Sequence, residues 1–259
     1  MHNTVREIVK FEITGAIATI AMNDPQRRNA MGLAMFDGLD AALASVAADG
    51  SIHVLLLTGE GAAFCSGFDL EAAVNDPALL GTFINRLSAL LRTVHRMPQV
   101  VVAAVSGAAI AGGCALLSAC DFVFVDADAQ LGYPVHRLGV SPAVTIPTLQ
   151  MALKPGPARA LTMSGELIDG HEAHRRGLAT HVVGPEQGVR QTAVAFCESL
   201  GAKGVQSLRV TKAWLNELDG SLNDGLFDQT ARDSAAASAH AQTTSMLAAW
   251  WNRSRGAKS

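Results

Sequence analysis

Charge is scarce in this sequence and nowhere concentrated. Only 17% of the 259 residues are charged, the formal net charge is −3, and no run of lysine or arginine exceeds two residues. A nucleic-acid-binding surface is excluded on those grounds. Cysteine is scarce as well. Cys65, Cys114, Cys120 and Cys197 are scattered through a chain that needs no covalent staples, which excludes a disulfide framework and points to reduced thiols in the cytoplasm. The opening residues, MHNTVREIVKFEIT, hold no apolar run of the kind a signal peptide carries. From Val100 to Cys120 the chain is uncharged for long enough to span a bilayer. Gly107, Gly112 and Gly113 interrupt that stretch and VVAAV reads as a strand, so a buried strand–loop–helix is expected and no membrane contact.

Several catalytic patterns are missing too. There is no G-x-S-x-G elbow, no G-x-x-x-x-G-K-[ST] loop and no G-x-G-x-x-G. His171 and His174 stand one residue closer than the zincin H-E-x-x-H requires, without cysteines or carboxylates at ligand spacing. They read as solvated helix surface, and no metal is expected.

What is present is apolar: 49% hydrophobic residues, enough for a sizeable core. Val5 to Met22 carries two β-prone segments around Thr14-Gly15, an opening hairpin. Met31 to Val46 has apolar residues at helical spacing. HVLLLTG, Val100–Val105 and Phe122–Val125 read as buried strands. Asp76-Pro77, Ser141-Pro142 and Asp169-Gly170 are helix starts, the first expected to run to Met97 before Pro98. Gly177 reads as a helix stop before the strand-like HVV at 181–183, and from Pro185 onward the chain reads as helical. Alternating strands and helices predict an α/β core over residues 1–200, with a C-terminal helical segment over 201–259.

Two strand exits carry glycines. Ala62 to Glu71 (AAFCSGFDLE) follows HVLLLTG, and Ser106 to Cys114 (SGAAIAGGC) follows VVAAV. Each could present backbone N–H groups at a helix start, and one donor from each loop would make an oxyanion hole. Taken singly, either is an ordinary tight turn.

FCSGFDL resembles the F-x-[AS]-G-x-D-[LI] segment of the crotonase (enoyl-CoA hydratase/isomerase) superfamily. GAAIAGGCALLSACDF resembles its G-x-x-x-G-G-G-x-x-x-x-x-x-C-D segment, with Ala111 in place of the first glycine. NDPQRRNAM and LTMSGELIDGHEAHRRGLATHVV fit as well, and the resemblance runs from about Val5 to Trp214. It implies a crotonase-like fold of ββα repeats forming a spiral core. It also implies an acyl-CoA thioester as ligand, no cofactor beyond that coenzyme A, and a homotrimer or hexamer, with the C-terminal helices as interface or lid; the apolar MLAAWW suits burial there or in a monomer core equally. The oxyanion donors fall on the N–H groups of Phe68 and Gly112. Asp69, Leu70 and Glu71 continue the substrate wall, Asp69 as a local structural acceptor. Gln26 or Arg27 approaches the nucleotide phosphates.

The two glutamates that family hydratases use as acid and base fall on Ala115 and Val135, neither of which can move a proton. A register slipped by one residue would bring His136 or Pro134 to the second position. His136 is thus the candidate substitute base, with an exposed or interface histidine as the plain alternative. Tyr133 could donate a hydrogen bond from the same loop or simply pack. Glu71 is the nearest acid, or else an exposed first-turn residue. Cys65 and Cys114 read as small buried hydrophobes. Three functions remain open: a lyase or isomerase working through a thioester enolate, a catalytically lapsed acyl-CoA-binding or assembly protein, and a carbon–carbon bond or thioester hydrolase using His136.

Overall fold

The computed structural model describes residues 7–256. Val5 and Arg6 of the expected hairpin, and residues 257–259 of the C-terminal segment, lie outside the described residues. Strands β1 (Val9–Thr14) and β2 (Ile17–Met22) pair antiparallel from Val9↔Met22 to Thr14↔Ile17, around Gly15 at φ 58°. A 3-10 turn, Pro25–Arg27, leads to α1 (Leu33–Ala48).

Three units follow, each giving one strand to each of two sheets and then turning into helix. The first is β3 (Val54–Gly59), β4 (Ala63–Cys65), α2 (Leu70–Asn75) and α3 (Ala78–Arg96). The second is β5 (Val100–Val105), β6 (Ala108–Ile110) and α4 (Gly112–Leu117). In the third, β7 (Phe122–Asp126) and β8 (Gln130–Gly132) precede 3-10 turns at His136–Leu138 and Ala143–Thr145, then α5 (Ile146–Ala152) and α6 (Pro155–Ser164). Strand β9 (Leu167–Ile168), α7 (Gly170–Arg176) and β10 (His181–Val183) complete both sheets. Helices α8 (Val189–Gly201), α9 (Val205–Leu218), α10 (Asp224–Ser238) and α11 (Ala241–Gly256) end the described chain.

The larger sheet runs β1-β2-β3-β5-β7-β10, parallel from β2 onward; the smaller runs β4-β6-β8-β9, with only β9 antiparallel. The central strands are continuously apolar because both faces of the larger sheet are covered. With a period of two, Leu55, Leu57, Val101 and Ala103 join the core beneath α1 and α3. Val54, Leu56, Val102 and Ala104 face α8 instead, against Val189, Ala193 and Cys197. The uncharged stretch from Val100 to Cys120 is therefore strand, short strand and short helix. No helix among the described residues is long and apolar enough to cross a membrane.

The helix signals act through named bonds. Asp76 Oδ1 accepts from Ala78 N (3.1 Å) at the start of α3, Asp169 caps α7 through Glu172 N (2.7 Å), and Gly177 ends it at φ 95°. The Cys-Asp pair after α4 gains a role as well. Asp121 Oδ2 accepts from Val101 N (2.7 Å) and from Lys212 Nζ (2.6 Å), so a partly buried ion pair ties α9 to β5. The outer face of α9 leaves Val210, Trp214, Leu215 and Leu218 exposed. MLAAWW, apolar enough for an interface or a monomer core, packs at least in part within its own chain: Leu247 is buried and Trp250 lies against the main core.

Candidate active site

The ends of β4 and β6 place two loops side by side. Gly67, at φ 94°, permits the approach: a β-carbon there would sit 3.1 Å from Ile110 O and 3.8 Å from Gly112 N. Met31 N donates to Gly67 O (2.8 Å) and Asp69 N donates to Met31 O (3.0 Å), which fixes the peptides on both sides of Phe68. The Phe68 N–H between them has no acceptor among the described residues. Gly112 opens α4, and its N–H also has none, as expected in a first helical turn. Two unused amide donors thus flank one space.

That space is a cavity of about 340 Å³. Phe68, Leu70, Gly112 and Val135 line it, with Leu80, Ile84 and Leu87 of α3 as an apolar wall. Tyr133 lines it as well and is fully buried. Toward the mouth stand Arg27, Arg28, Glu71 and Arg137, all on exposed positions, while Gln26 is not part of the lining. Arg27 Nη2 bonds Asp69 Oδ2 at 2.5 Å, and Asp69 Oδ1 accepts from Ala72 N at 3.1 Å to cap α2. Asp69 is therefore the local acceptor the sequence suggested, with its charge answered by arginine.

Three features were not anticipated. Trp250 and Trp251 return from α11 to line the cavity. Arg28 and Arg137 join Arg27 at its mouth. Asn29, fully buried at φ 55°, donates through Nδ2 to Ala63 O (2.8 Å) and Phe64 O (3.2 Å), pinning the Asp24–Met31 loop to β4. The asparagine at a positive φ inside NDPQRRNAM was the available signal for the last.

The model of the enoyl-CoA hydratase/isomerase family matches residues 12–246, nearly the whole chain and well past Trp214, where the resemblance had been expected to fade. The chain belongs to this family. A protein of Thermus thermophilus named a candidate enoyl-CoA hydratase is 36% identical over 217 residues, 82% of this chain and 85% of that one. A crotonyl-CoA hydratase of Syntrophomonas wolfei is 30% identical over 214 residues, 82% of each chain. Among solved structures, an enoyl-CoA hydratase/isomerase from Mycobacterium paratuberculosis superposes with a TM-score of 0.85 at 23% identity, covering 95% of this chain and 99% of that one. That likeness fixes the crotonase fold, whose ββα repeat is the three-unit pattern described above.

Within this family member the residues around the two donors fall into distinct settings. Ala115 is fully buried in α4 among core side chains, outside the cavity lining. Val135 is half-buried and lines the cavity. His136, the next residue, is exposed and is not part of the lining. The carboxylates of the lining are Asp69 and Glu71, the latter exposed in the first turn of α2. Burial pushes the thiols of Cys65 and Cys114 up to about 12, so neither is a nucleophile near neutral pH. His171 and His174 are exposed on α7, and no group of three potential ligands among the described residues could hold a metal.

Ala111, which stands in place of a family glycine, adopts φ 51° and ψ −109°, a conformation costly for a residue with a β-carbon. Ala111→Gly is expected to raise stability by about 1 kcal/mol, the relief of strain outweighing the added freedom of the unfolded chain. Urea denaturation measures it; a lowered midpoint would show that the turn carries no strain.

Proposed function

We propose that the protein is an acyl-CoA enzyme in which the thioester carbonyl oxygen sits between the N–H groups of Phe68 and Gly112. The observation that carries this reading is the pair of unused amide donors on adjoining loops at the wall of one cavity. Donors aimed at an oxygen whose charge grows during reaction stabilise an enolate more than the neutral thioester. The names of its relatives support a CoA thioester as the ligand. Arg27, Arg28 and Arg137 at the mouth suit its phosphates.

The reaction is not hydration through two carboxylates, because Ala115 and Val135 occupy the positions where family hydratases carry them. Loss of CO2 from a malonyl-type thioester suits this site. The bond between the α-carbon and the carboxylate breaks, its electron pair enters the enolate, and the two amides hold the resulting oxyanion. Solvent then returns a proton to the α-carbon. No base is needed. CO2 release from malonyl-CoA or methylmalonyl-CoA is therefore the expected activity, followed by a coupled CO2 assay. Failure to release CO2 from either thioester would sink the decarboxylase reading. Tight binding without turnover across a wider acyl-CoA panel would favour the second reading, a lapsed acyl-CoA-binding protein, which the two missing carboxylates support. The hydrolase reading is not favoured, because His136, the base it calls on, is exposed and outside the cavity lining.

A further inference from the structure

Of the chain's three tryptophans, Trp214 stands exposed on α9, while Trp250 and Trp251 both line the cavity that holds the amide donors. The sequence of α11 puts them there. Thr243 and Leu247 are buried one helix turn apart, and the same face continues to Trp250 and Trp251. Thr243 Oγ1 donates to Gly139 O at 2.8 Å. A β-carbon on Gly139 would stand 2.9 Å from Thr243 Cα, so only glycine allows this approach. The helix then lies against α2 and the His136–Leu138 turn. Phe68 leads into α2 and Val135 leads into that turn, so α11 spans from one to the other.

Both indoles keep accessible surface, unlike Tyr133, which has none. Neighbours on a helix point about 100° apart, so two of them lining one cavity form a corner rather than a flat wall. Their ring centres are 6.3 Å apart and the planes are inclined at 43°. Around them Leu80, Ile84, Leu87 and Val135 supply aliphatic surface. The hydroxyls of Ser141 and Thr145, also in the lining, are turned to local backbone. Ser141 Oγ accepts from Ala143 N (3.2 Å), and Thr145 Oγ1 donates to Pro142 O (3.0 Å). Beyond the α-carbon of a bound thioester, a lining of this kind holds apolar surface best.

The indoles add a preference between apolar shapes. An alkyl chain gains by leaving water but gives up its bond rotations on binding. A rigid ring gives up few, and it meets aromatic neighbours in favourable edge-to-face contacts. A cavity of about 150 Å³ with apolar walls already takes up a benzene. One of about 340 Å³ leaves room for a ring beside the thioester arm.

We propose that Trp250 and Trp251 determine specificity by holding an aromatic ring carried by the acyl group, as in phenylacetyl or cinnamoyl thioesters. This rests on the acyl-CoA reading above and names the acyl class within it. Polarisation of the thioester stays with Phe68 and Gly112.

The test is calorimetric titration of wild type, Trp250→Leu and Trp251→Leu with butyryl-CoA, octanoyl-CoA and phenylacetyl-CoA. The last two acyl groups have equal numbers of carbons, so they separate ring from chain. Wild type should bind phenylacetyl-CoA tenfold or more tightly than butyryl-CoA, and more tightly than octanoyl-CoA. In the leucine variants the margin over octanoyl-CoA should disappear, with butyryl-CoA affinity unchanged. Octanoyl-CoA as the tightest ligand of wild type, or equal affinity for all three, overturns the inference. So does a ring preference that survives both substitutions. Trp214→Phe gives a readout that needs neither leucine variant to fold, because its remaining indoles are the two in question. Phenylacetyl-CoA should change its tryptophan emission more than butyryl-CoA does, and an equal change overturns the inference. Binding of none of the three thioesters would instead overturn the acyl-CoA reading, and this inference with it.

Discussion

With the Phe68 peptide N–H replaced by an ester oxygen, through phenyllactic acid at position 68, turnover of the thioester substrate is expected to fall about 10²–10³-fold. The exchange removes one donor and leaves every side chain in place. The Phe68 N–H has no acceptor among the described residues, so its loss takes nothing from their bonding. The one structural cost falls on Gly67 O, which becomes a poorer acceptor for Met31 N and so loses up to about 1 kcal/mol. An ester at Asp69 is the control. It deletes the bond from Asp69 N to Met31 O, and it should lower stability with little effect on rate. The carbonyl stretch of a bound 13C-labelled thioester reports the same interaction directly. It should lie below its solution value in wild type and move back toward it in the Phe68 ester. A Phe68 ester with unchanged rate and unchanged carbonyl frequency would show that this amide does not touch the substrate.

The larger sheet was legible because its central strands are buried on both faces, which leaves runs such as VLLL and VVVAAV with no polar interruption. The opening hairpin and the helix caps were legible for equally local reasons, a turn glycine and side chains that bond the first free amides. The smaller sheet was not. Its strands β4, β6 and β8 have three residues each, too few for any period to show. Repetition of the ββα unit came only with the family resemblance, because the three units share topology and burial rather than residues.

The site divides along the same line. The glycine-bearing strand exits marked two loops as sources of backbone donors, and the family resemblance put the proposed donors at Phe68 and Gly112. Side-chain direction was out of reach. In a 3-10 turn successive residues point about 120° apart, so Val135 faces the cavity while His136 faces solvent. The spacing that made His136 a candidate base said nothing about which way it would project. Trp250 and Trp251 arrive from more than a hundred residues away, and only the packing of α11 against α2 and the His136–Leu138 turn brings them to the cavity. That the Tyr133 hydroxyl finds no hydrogen-bond partner among the described residues is likewise a property of packing, invisible in a residue that reads from sequence as either donor or filler.

Hydration of crotonyl-CoA has the other large expected effect, because the proposed reading assigns this cavity no acid–base pair for it. Water adds across the double bond only when one group takes its proton and another supplies one. Position 135 reaches the cavity with a valine, and position 115 lies in the core as an alanine. Of the lining carboxylates, Asp69 is paired with Arg27 and caps α2, and Glu71 is exposed on the first turn of that helix. In the proposed reading the Phe68 and Gly112 amides polarise the thioester, but polarisation alone moves no proton. Loss of the enoyl-thioester absorbance of crotonyl-CoA, followed with purified protein, measures this at once. No hydration above the uncatalysed rate is the expected result; rapid turnover would contradict it and show that another residue activates water.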